Sequence, residues 1–237
     1  MHGKKSSVEE IRARFDADVE RFSSLETGQS ATMDAPLVLS LVARVAAEHR
    51  PQGRSVLDIG CGAGNYTLKL LERLPGLNCT LIDLSQPMLD RARQRLAESS
   101  ASQVTTLQGD IRELELPKEA FDIVMAAAVL HHLRADSDWE STFAKIHRTL
   151  RPEGVLLVSD LLSQDVSSVA QVQRARHGEY LQELRDESYR QAVFDYIEKE
   201  DTPRSLLYQA DLCRLVGFRQ VDVLHVNACF GAYCAVK

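Results

Sequence analysis

Val56-Leu57-Asp58-Ile59-Gly60-Cys61-Gly62-Ala63-Gly64-Asn65 passes from a short apolar run, through three glycines, into a segment with helical spacing. The run reads as a buried strand, and Leu68, Leu71 and Leu74 as the apolar face of the following helix. Glycine lets the backbone turn sharply and lets a ligand approach without a Cβ in the way. The helix start beyond it presents unpaired N–H groups and the positive end of the helix dipole. A dinucleotide turn wants a third small residue in G-x-G-x-x-G/A, and that position falls on Asn65. The third glycine instead arrives one residue early, at Gly64, and Asp58 stands two residues before Gly60. A carboxylate there has no task against a pyrophosphate, but it suits a ligand carrying an ammonium group.

Outward from this turn, strands and helices alternate. Cys79-Thr80-Leu81-Ile82 reads as the second strand, after the break at Pro75-Gly76, and Ser85 is placed to cap a helix holding Met88, Leu89, Ala92 and Leu96. Further strands are predicted at Val104–Leu107, Phe121–Ala126 and Val155–Ser159, with a helix over Trp139–Leu150. Alternation of this kind implies a parallel sheet covered on both faces. Upstream, residues 8–24 read as a helical region, and a further helix starts near Asp34-Ala35-Pro36, with Asp34 as cap. Downstream, 165–200 is helical and rich in charge, and Thr202-Pro203 opens a helix that stops at Gly217. Phe218–Val226 and Phe230–Val236 are separated by a turn too short for a crossover and are expected to pair antiparallel. The expected fold is α/β and doubly wound, a mostly parallel seven-stranded sheet ending in an antiparallel hairpin. It forms one domain over 1–237: an N-terminal helical lid (1–50), a core (51–160), a helical insertion that completes the lid (161–200), and a final helix and hairpin (201–237).

Asp58-x-Gly60-x-Gly62-x-Gly64 resembles the glycine turn of the class I S-adenosylmethionine-dependent methyltransferases. Four further stations follow in the order of that family: Asp83 at the end of the second strand, Gln108-Gly109-Asp110-Ile111 at the end of the third, Phe121–Leu133, and Leu150-Arg151-Pro152-Glu153-Gly154. Glu153 stands where many members have glycine. The resemblance covers residues 53–160 and, more loosely, the hairpin. It implies S-adenosylmethionine as cofactor, with Asp83 accepting from both ribose hydroxyls, Asp110 from the adenine amino group and Ile111 packing on the ring. Gly60, Cys61, Gly62, Gly64, Asn65, Leu84, Met88, Ala126 and His131 complete the implied cofactor set.

A sulfonium makes its methyl carbon electrophilic, so the enzyme's main task is to hold a nucleophile in line with the S–CH₃ bond. An alcohol, phenol or ammonium acceptor must also lose a proton. His131 and Asp160, at the ends of the fourth and fifth strands, are the candidate catalytic residues, since histidine titrates near neutrality. The alternative for the His131-His132 pair is packing behind the cofactor. Phe15, Phe22 and residues 23–28 belong to the expected lid, with Arg174, Arg176, His177, Tyr180, Tyr189 and Arg190 from the insertion. Inward-facing members would favour an anionic or aromatic acceptor, and outward-facing ones would be a solvated helix face.

A net charge of −6 and a pI of about 5.7 argue against stable nucleic-acid binding, which requires a basic face. The longest apolar stretch, Ile123–Leu130, is too short to span a bilayer, and no targeting segment is visible. The 5 cysteines have no C-x-x-C spacing, so neither a metal centre nor a disulfide framework is expected, and the compartment reads as a reducing cytoplasm. The expected partner is a small-molecule methyl acceptor, and the oligomeric state is left open. Three other readings remain. Residues 227–237 faintly resemble the tail of carboxy-S-adenosylmethionine synthases, which hold the added carboxylate with an arginine, here Arg185 or Arg190. A non-catalytic cofactor binder is the second. A nicotinamide dehydrogenase is the third, with Asn65 counting against it.

Overall fold

The computed structural model describes residues 5–24 and 28–237. A seven-stranded sheet has the order β3-β2-β1-β4-β5-β7-β6. Its members are β1 (Ser55–Ile59), β2 (Asn78–Asp83), β3 (Gln103–Gln108), β4 (Phe121–Ala127), β5 (Leu150–Leu161), β6 (Gln220–Asn227) and β7 (Phe230–Val236). β1 to β5 run parallel, and β7 pairs antiparallel with both β5 and β6. The predicted sheet, including its closing hairpin, is the one observed.

Each strand alternates its side chains between two helical layers, as the pleat requires. Val56, Leu81, Met125 and Leu157 pack against α3 (Ala35–His49), α4 (Asn65–Leu71) and α5 (Gln86–Ala97). Leu57, Ile82, Val124 and Leu156 pack against α6 (Asp136–Thr149) and α9 (Leu206–Leu215). In α6, Trp139, Phe143 and Ile146 recur at helical spacing and are completely buried. Two further helices, α7 (Ser167–Leu184) and α8 (Glu187–Glu200), form the insertion between β5 and α9. The strand order reverses between β1 and β4, and the crevice beyond their carboxyl ends is where this class of sheet holds ligands.

Several local expectations need correction. The helical region expected over residues 8–24 is present as two helices, α1 (Val8–Ala17) and α2 (Val19–Ser23), broken at Asp18, whose N–H bonds back to Phe15 O. Asp34 precedes α3 in a left-handed conformation (φ 59°) and makes no capping bond. Its carboxylate instead accepts from His225 Nε2 and Asn227 Nδ2 on β6. α3 packs into the core, so of residues 1–50 only the segment before it reaches over the crevice. α9 starts after Ser205, whose hydroxyl accepts from Tyr208 N, while the Thr202 hydroxyl accepts instead from Arg134 Nη1 and Thr202 N donates to His131 O. Ser85 does cap α5, accepting from Met88 N. Glu153 has φ 62°, the left-handed region that favours glycine. A non-glycine residue there carries strain of roughly 1–2 kcal/mol.

At the amino ends of β1 and β4, Asp122 ties the sheet together. Its carboxylate accepts from Arg54 N, Ser55 N, Ser55 Oγ, Arg50 Nη2 and Arg151 Nη1, at 2.8–3.1 Å. Among the described residues, no helix is long and apolar enough to cross a membrane.

Candidate active site

The glycine turn positions the first wall of the site. Gly60 has φ 66°, and a Cβ there would lie 2.5 Å from Val129 Cγ2, so the β1 and β4 loops can approach only because this residue is glycine. Gly62 (φ 50°) has nothing within 4 Å of its Cβ position and leaves an open backbone face. Asp83 closes the turn from β2: Oδ2 accepts from Gly62 N (2.8 Å) and Oδ1 from Ser85 N (2.9 Å). Each oxygen keeps a second lone pair for a ligand. Burial pushes the Asp83 carboxyl up to about 6, against those N–H groups. Asp58 is more enclosed; burial raises it to about 7, opposed by the Thr67 hydroxyl at 2.6 Å.

These residues open on a cavity of about 420 Å³. Of the expected set, Asp58, Gly60, Cys61, Gly62, Asn65, Asp83, Leu84, Met88, His131 and Asp160 line it. Asp110 and Ile111 line a second cavity of about 190 Å³, which shares Gly60, Asp83, Leu84, Val129 and His132 with the first. The two cavities therefore meet along the Gly60–Asp83 edge. Arg112 already holds Asp110 through its backbone N (2.9 Å) and guanidinium Nε (3.0 Å), which keeps the carboxyl below its usual range despite burial. Two expected residues are not brought to the cavity. Gly64 turns toward α5, where a Cβ would meet Leu96 Cδ1 at 2.9 Å, so it serves helix packing. Ala126 is buried in the lower core layer, and Ala127, Ala128 and Val129 form the wall instead. Cys61 donates to Gly62 O, and burial, then the Asp83 and Asp58 charges, push its thiol well up, so it is a small neutral wall residue.

The far half of the main cavity is apolar. Phe15 and Phe22 come from α1 and α2, and Tyr189, Ala192, Val193, Tyr196 and Ile197 from one face of α8. Their i, i+3, i+4, i+7, i+8 spacing was a legible amphipathic stripe within a charged segment. Of the other insertion residues, His177 lines the cavity. Arg174 stacks on Phe194 at 4.0 Å, Arg176 donates to Asn227, Tyr180 to Ser30 O, and Arg190 pairs with Glu187. Of the expected lid residues, Leu25-Glu26-Thr27 lie outside the described residues.

The polar end is built by His131, His132, Asp160 and Asp201. His131 Nδ1 bonds Asp160 Oδ1, and His131 N donates to Asp160 Oδ2 at 3.2 Å. Burial works against an imidazolium here, but the Asp160 and Asp201 charges outweigh it and bring His131 to about 9. Burial and the neighbouring His131 charge put His132 well below its ordinary value. Asp201, pushed up by burial to about 6, was missed by sequence reasoning. It follows α8, and its place is fixed by long-range ties: Lys5 Nζ to Asp201 O (2.5 Å), Arg134 Nη1 to Glu200 O, and Thr202 N to His131 O (2.7 Å).

Comparison with known proteins sets this site in context. Residues 56–154 match a family described as a methyltransferase domain. A malonyl-[acyl-carrier protein] O-methyltransferase of Serratia marcescens is 35% identical over 127 residues, 54% of this chain and 46% of that protein. A carboxy-S-adenosyl-L-methionine synthase of Pasteurella multocida (strain Pm70) is 29% identical over 210 residues, 84% of this chain and 83% of that one. The chain spans less than half the length of the first curated relatives it matches, 42% and 46%. Among solved structures, the 1,6-didemethyltoxoflavin-N1-methyltransferase of Burkholderia thailandensis, with bound 1,6-didemethyltoxoflavin and S-adenosylhomocysteine, superposes with TM-score 0.65 at 21% identity. It covers 100% of this chain and 93% of that chain. Human N-acetylserotonin methyltransferase in complex with S-adenosylmethionine has TM-score 0.60 at 20% identity, over 98% of this chain and 56% of that one.

Proposed function

We propose, from the match of residues 56–154 to a methyltransferase domain, that the chain is a class I S-adenosylmethionine-dependent methyltransferase whose cavity transfers the cofactor's methyl group to a small, largely apolar acceptor with one polar nucleophilic atom. The observation that carries this reading is the continuity of one cavity from the Gly60–Gly62 turn and Asp83 to an aromatic chamber ending at His131. In this reading Asp83 holds the ribose, Asp58 faces the ammonium group, and Asp110 and Ile111 take the adenine in the smaller cavity. The five free thiols support a reducing, cytoplasmic setting. The test is calorimetric titration with S-adenosylmethionine, followed by mass spectrometry of candidate apolar hydroxy and amino acceptors. Absence of cofactor binding ends the reading.

His131 is the residue through which the polar end acts on the acceptor, and Asp160 is its positioning partner. His131→Ala is expected to lower turnover by roughly 10²–10⁴-fold while cofactor affinity stays within a few-fold. A collapse of cofactor binding would assign His131 to packing behind the cofactor instead.

Asp58 makes cofactor binding pH-dependent. Only the carboxylate attracts an ammonium group, and burial raises this carboxyl to about 7. Affinity therefore rises with pH through that value and levels off above it. Between pH 6 and pH 8 the gain is about tenfold, following the ionised fraction; Asp83, at about 6, adds in the same direction. Asp58→Asn should flatten most of this rise in calorimetry, and an unchanged profile would remove Asp58 from the ammonium role.

The synthase relative spans most of both chains. Neither Arg185, stacked on Tyr189, nor Arg190, paired with Glu187, lines the cavity, so that reading gains no carboxylate anchor from either of these two.

A further inference from the structure

The polar end of the chamber holds more donor atoms than methyl transfer to a simple acceptor requires. Asp201 Oδ1 lies 3.6 Å from His131 Nε2 and 3.4 Å from His132 Nδ1. One potential ligand atom from each of His131, His132 and Asp201 lies within 4.8 Å of the other two. Asp201 is 95% buried, since its exposure is 5%. Its Oδ1 and His132 Nδ1 are both buried without a hydrogen-bond partner, although they face each other. A buried carboxylate oxygen and a buried ring nitrogen left in this way are costly, because neither keeps the partner it had in water. Such a cost points to a ligand between them.

We propose that His131 Nε2, His132 Nδ1 and Asp201 Oδ1 form a binding site for one divalent transition-metal ion of the zinc class, placed to hold the acceptor's nucleophilic oxygen. Metal–nitrogen bonds of about 2.0–2.1 Å put the ligands of a tetrahedral centre roughly 3.4 Å apart, and the two measured edges to Asp201 match that spacing. Two imidazoles and one carboxylate suit zinc or cobalt rather than magnesium or calcium, which prefer all-oxygen sites.

The surroundings fit a metal centre as well. Asp160 bonds His131 Nδ1, the outer carboxylate that turns a histidine's other nitrogen toward a metal. His132 has a hydrogen bond to the Glu200 backbone. Asp160 and Asp201 supply negative charge. The nearby cations are otherwise engaged: Arg14 pairs with Glu200, Arg134 bonds Glu200 O and Thr202 Oγ1, and Lys5 binds main-chain oxygens. The remaining coordination position faces the cavity that all three residues line. A hydroxyl or phenol oxygen held there would have its proton affinity lowered by the ion.

This inference rests on the methyl-transfer reading only for the identity of the fourth ligand. The test is titration of the chelator-treated full chain with Zn²⁺ by calorimetry and with Co²⁺ by visible absorption, beside a separate S-adenosylmethionine titration of the metal-free protein. One equivalent is expected to bind the wild type, with the d–d bands of a low-coordinate cobalt centre. Asp201→Asn and His132→Ala are each expected to weaken binding at least tenfold, while their circular dichroism and thermal midpoints show the fold retained. No stoichiometric binding by the wild type, or equal binding by Asp201→Asn, overturns the site. Cofactor binding without metal binding refutes the metal site and leaves methyl transfer standing. Metal binding without cofactor binding supports the site and refutes methyl transfer.

Discussion

Replacing Asp83 by alanine is expected to weaken S-adenosylmethionine binding by roughly a hundredfold. The carboxylate is pre-aimed by Gly62 N and Ser85 N, so in the proposed reading its remaining lone pairs would meet the two ribose hydroxyls at little entropic cost. Hydrogen bonds to a charged group are worth about 1.5–3 kcal/mol each. Losing two of them amounts to at least about 3 kcal/mol, and every 1.4 kcal/mol is about tenfold in affinity. Asp83→Asn keeps one acceptor oxygen and is expected to fall between the wild type and the alanine variant. Unchanged affinity of the alanine variant by calorimetry would sink the ribose assignment.

The largest stability effect is expected far from the cavity, at Asp122→Ala. That change strips partners from two main-chain N–H groups and the Ser55 hydroxyl, all close to the buried carboxylate, and from Arg50 and Arg151. The arginines are partly exposed and regain water, so most of the cost comes from the N–H and O–H groups. We expect a loss of about 3–5 kcal/mol in urea unfolding, with cofactor affinity unchanged because the residue sits at the opposite end of the sheet. The bonds from Arg54, Ser55 and Arg50 together overcome burial and hold this carboxyl below its ordinary value. Its contribution is therefore complete above the ordinary carboxylate range and disappears as pH falls through the lowered value. Asp122→Asn should remove that acid limb, and a loss below about 1 kcal/mol for the alanine variant would show that the sheet does not depend on this tie.

The glycine turn was legible because its demands are local. Positive φ at Gly60, Gly62 and Gly64 and a strand-ending carboxylate leave a mark within a short window. Even so, the motif could not tell which glycine faces the cavity, and Gly64 packs on Leu96 instead. Ala126 and Ala127 differ by one position on a strand, which is enough to exchange core for cavity. The Asp34 cap failed because a carboxylate obeys its strongest partners, here two side chains of the distant β6. Asp201 could not be read at all. Nothing around it in the chain marks it as functional, and ties remote in sequence, among them Lys5, Arg134 and the His131 carbonyl, carry its segment to the histidine pair.

The two ends of the α7–α8 insertion meet. Ser163 and Ser205 form a parallel bridge, and Ser163 N donates to Arg204 O, so the segment between them leaves and rejoins the core at almost one point. Closing a loop at a fixed point costs only slowly more as the loop lengthens, about 0.6 kcal/mol per doubling. The stretch is thus a cassette, open to replacement by a longer, shorter or unrelated sequence while the sheet and its glycine turn stay as they are. Because this cassette carries the α8 stripe and Asp201, while the Asp83 edge belongs to the core, such an exchange would hand one unchanged donor half a new receiving half. Substrate range in a scaffold of this design can diversify by grafting, without renegotiating the cofactor.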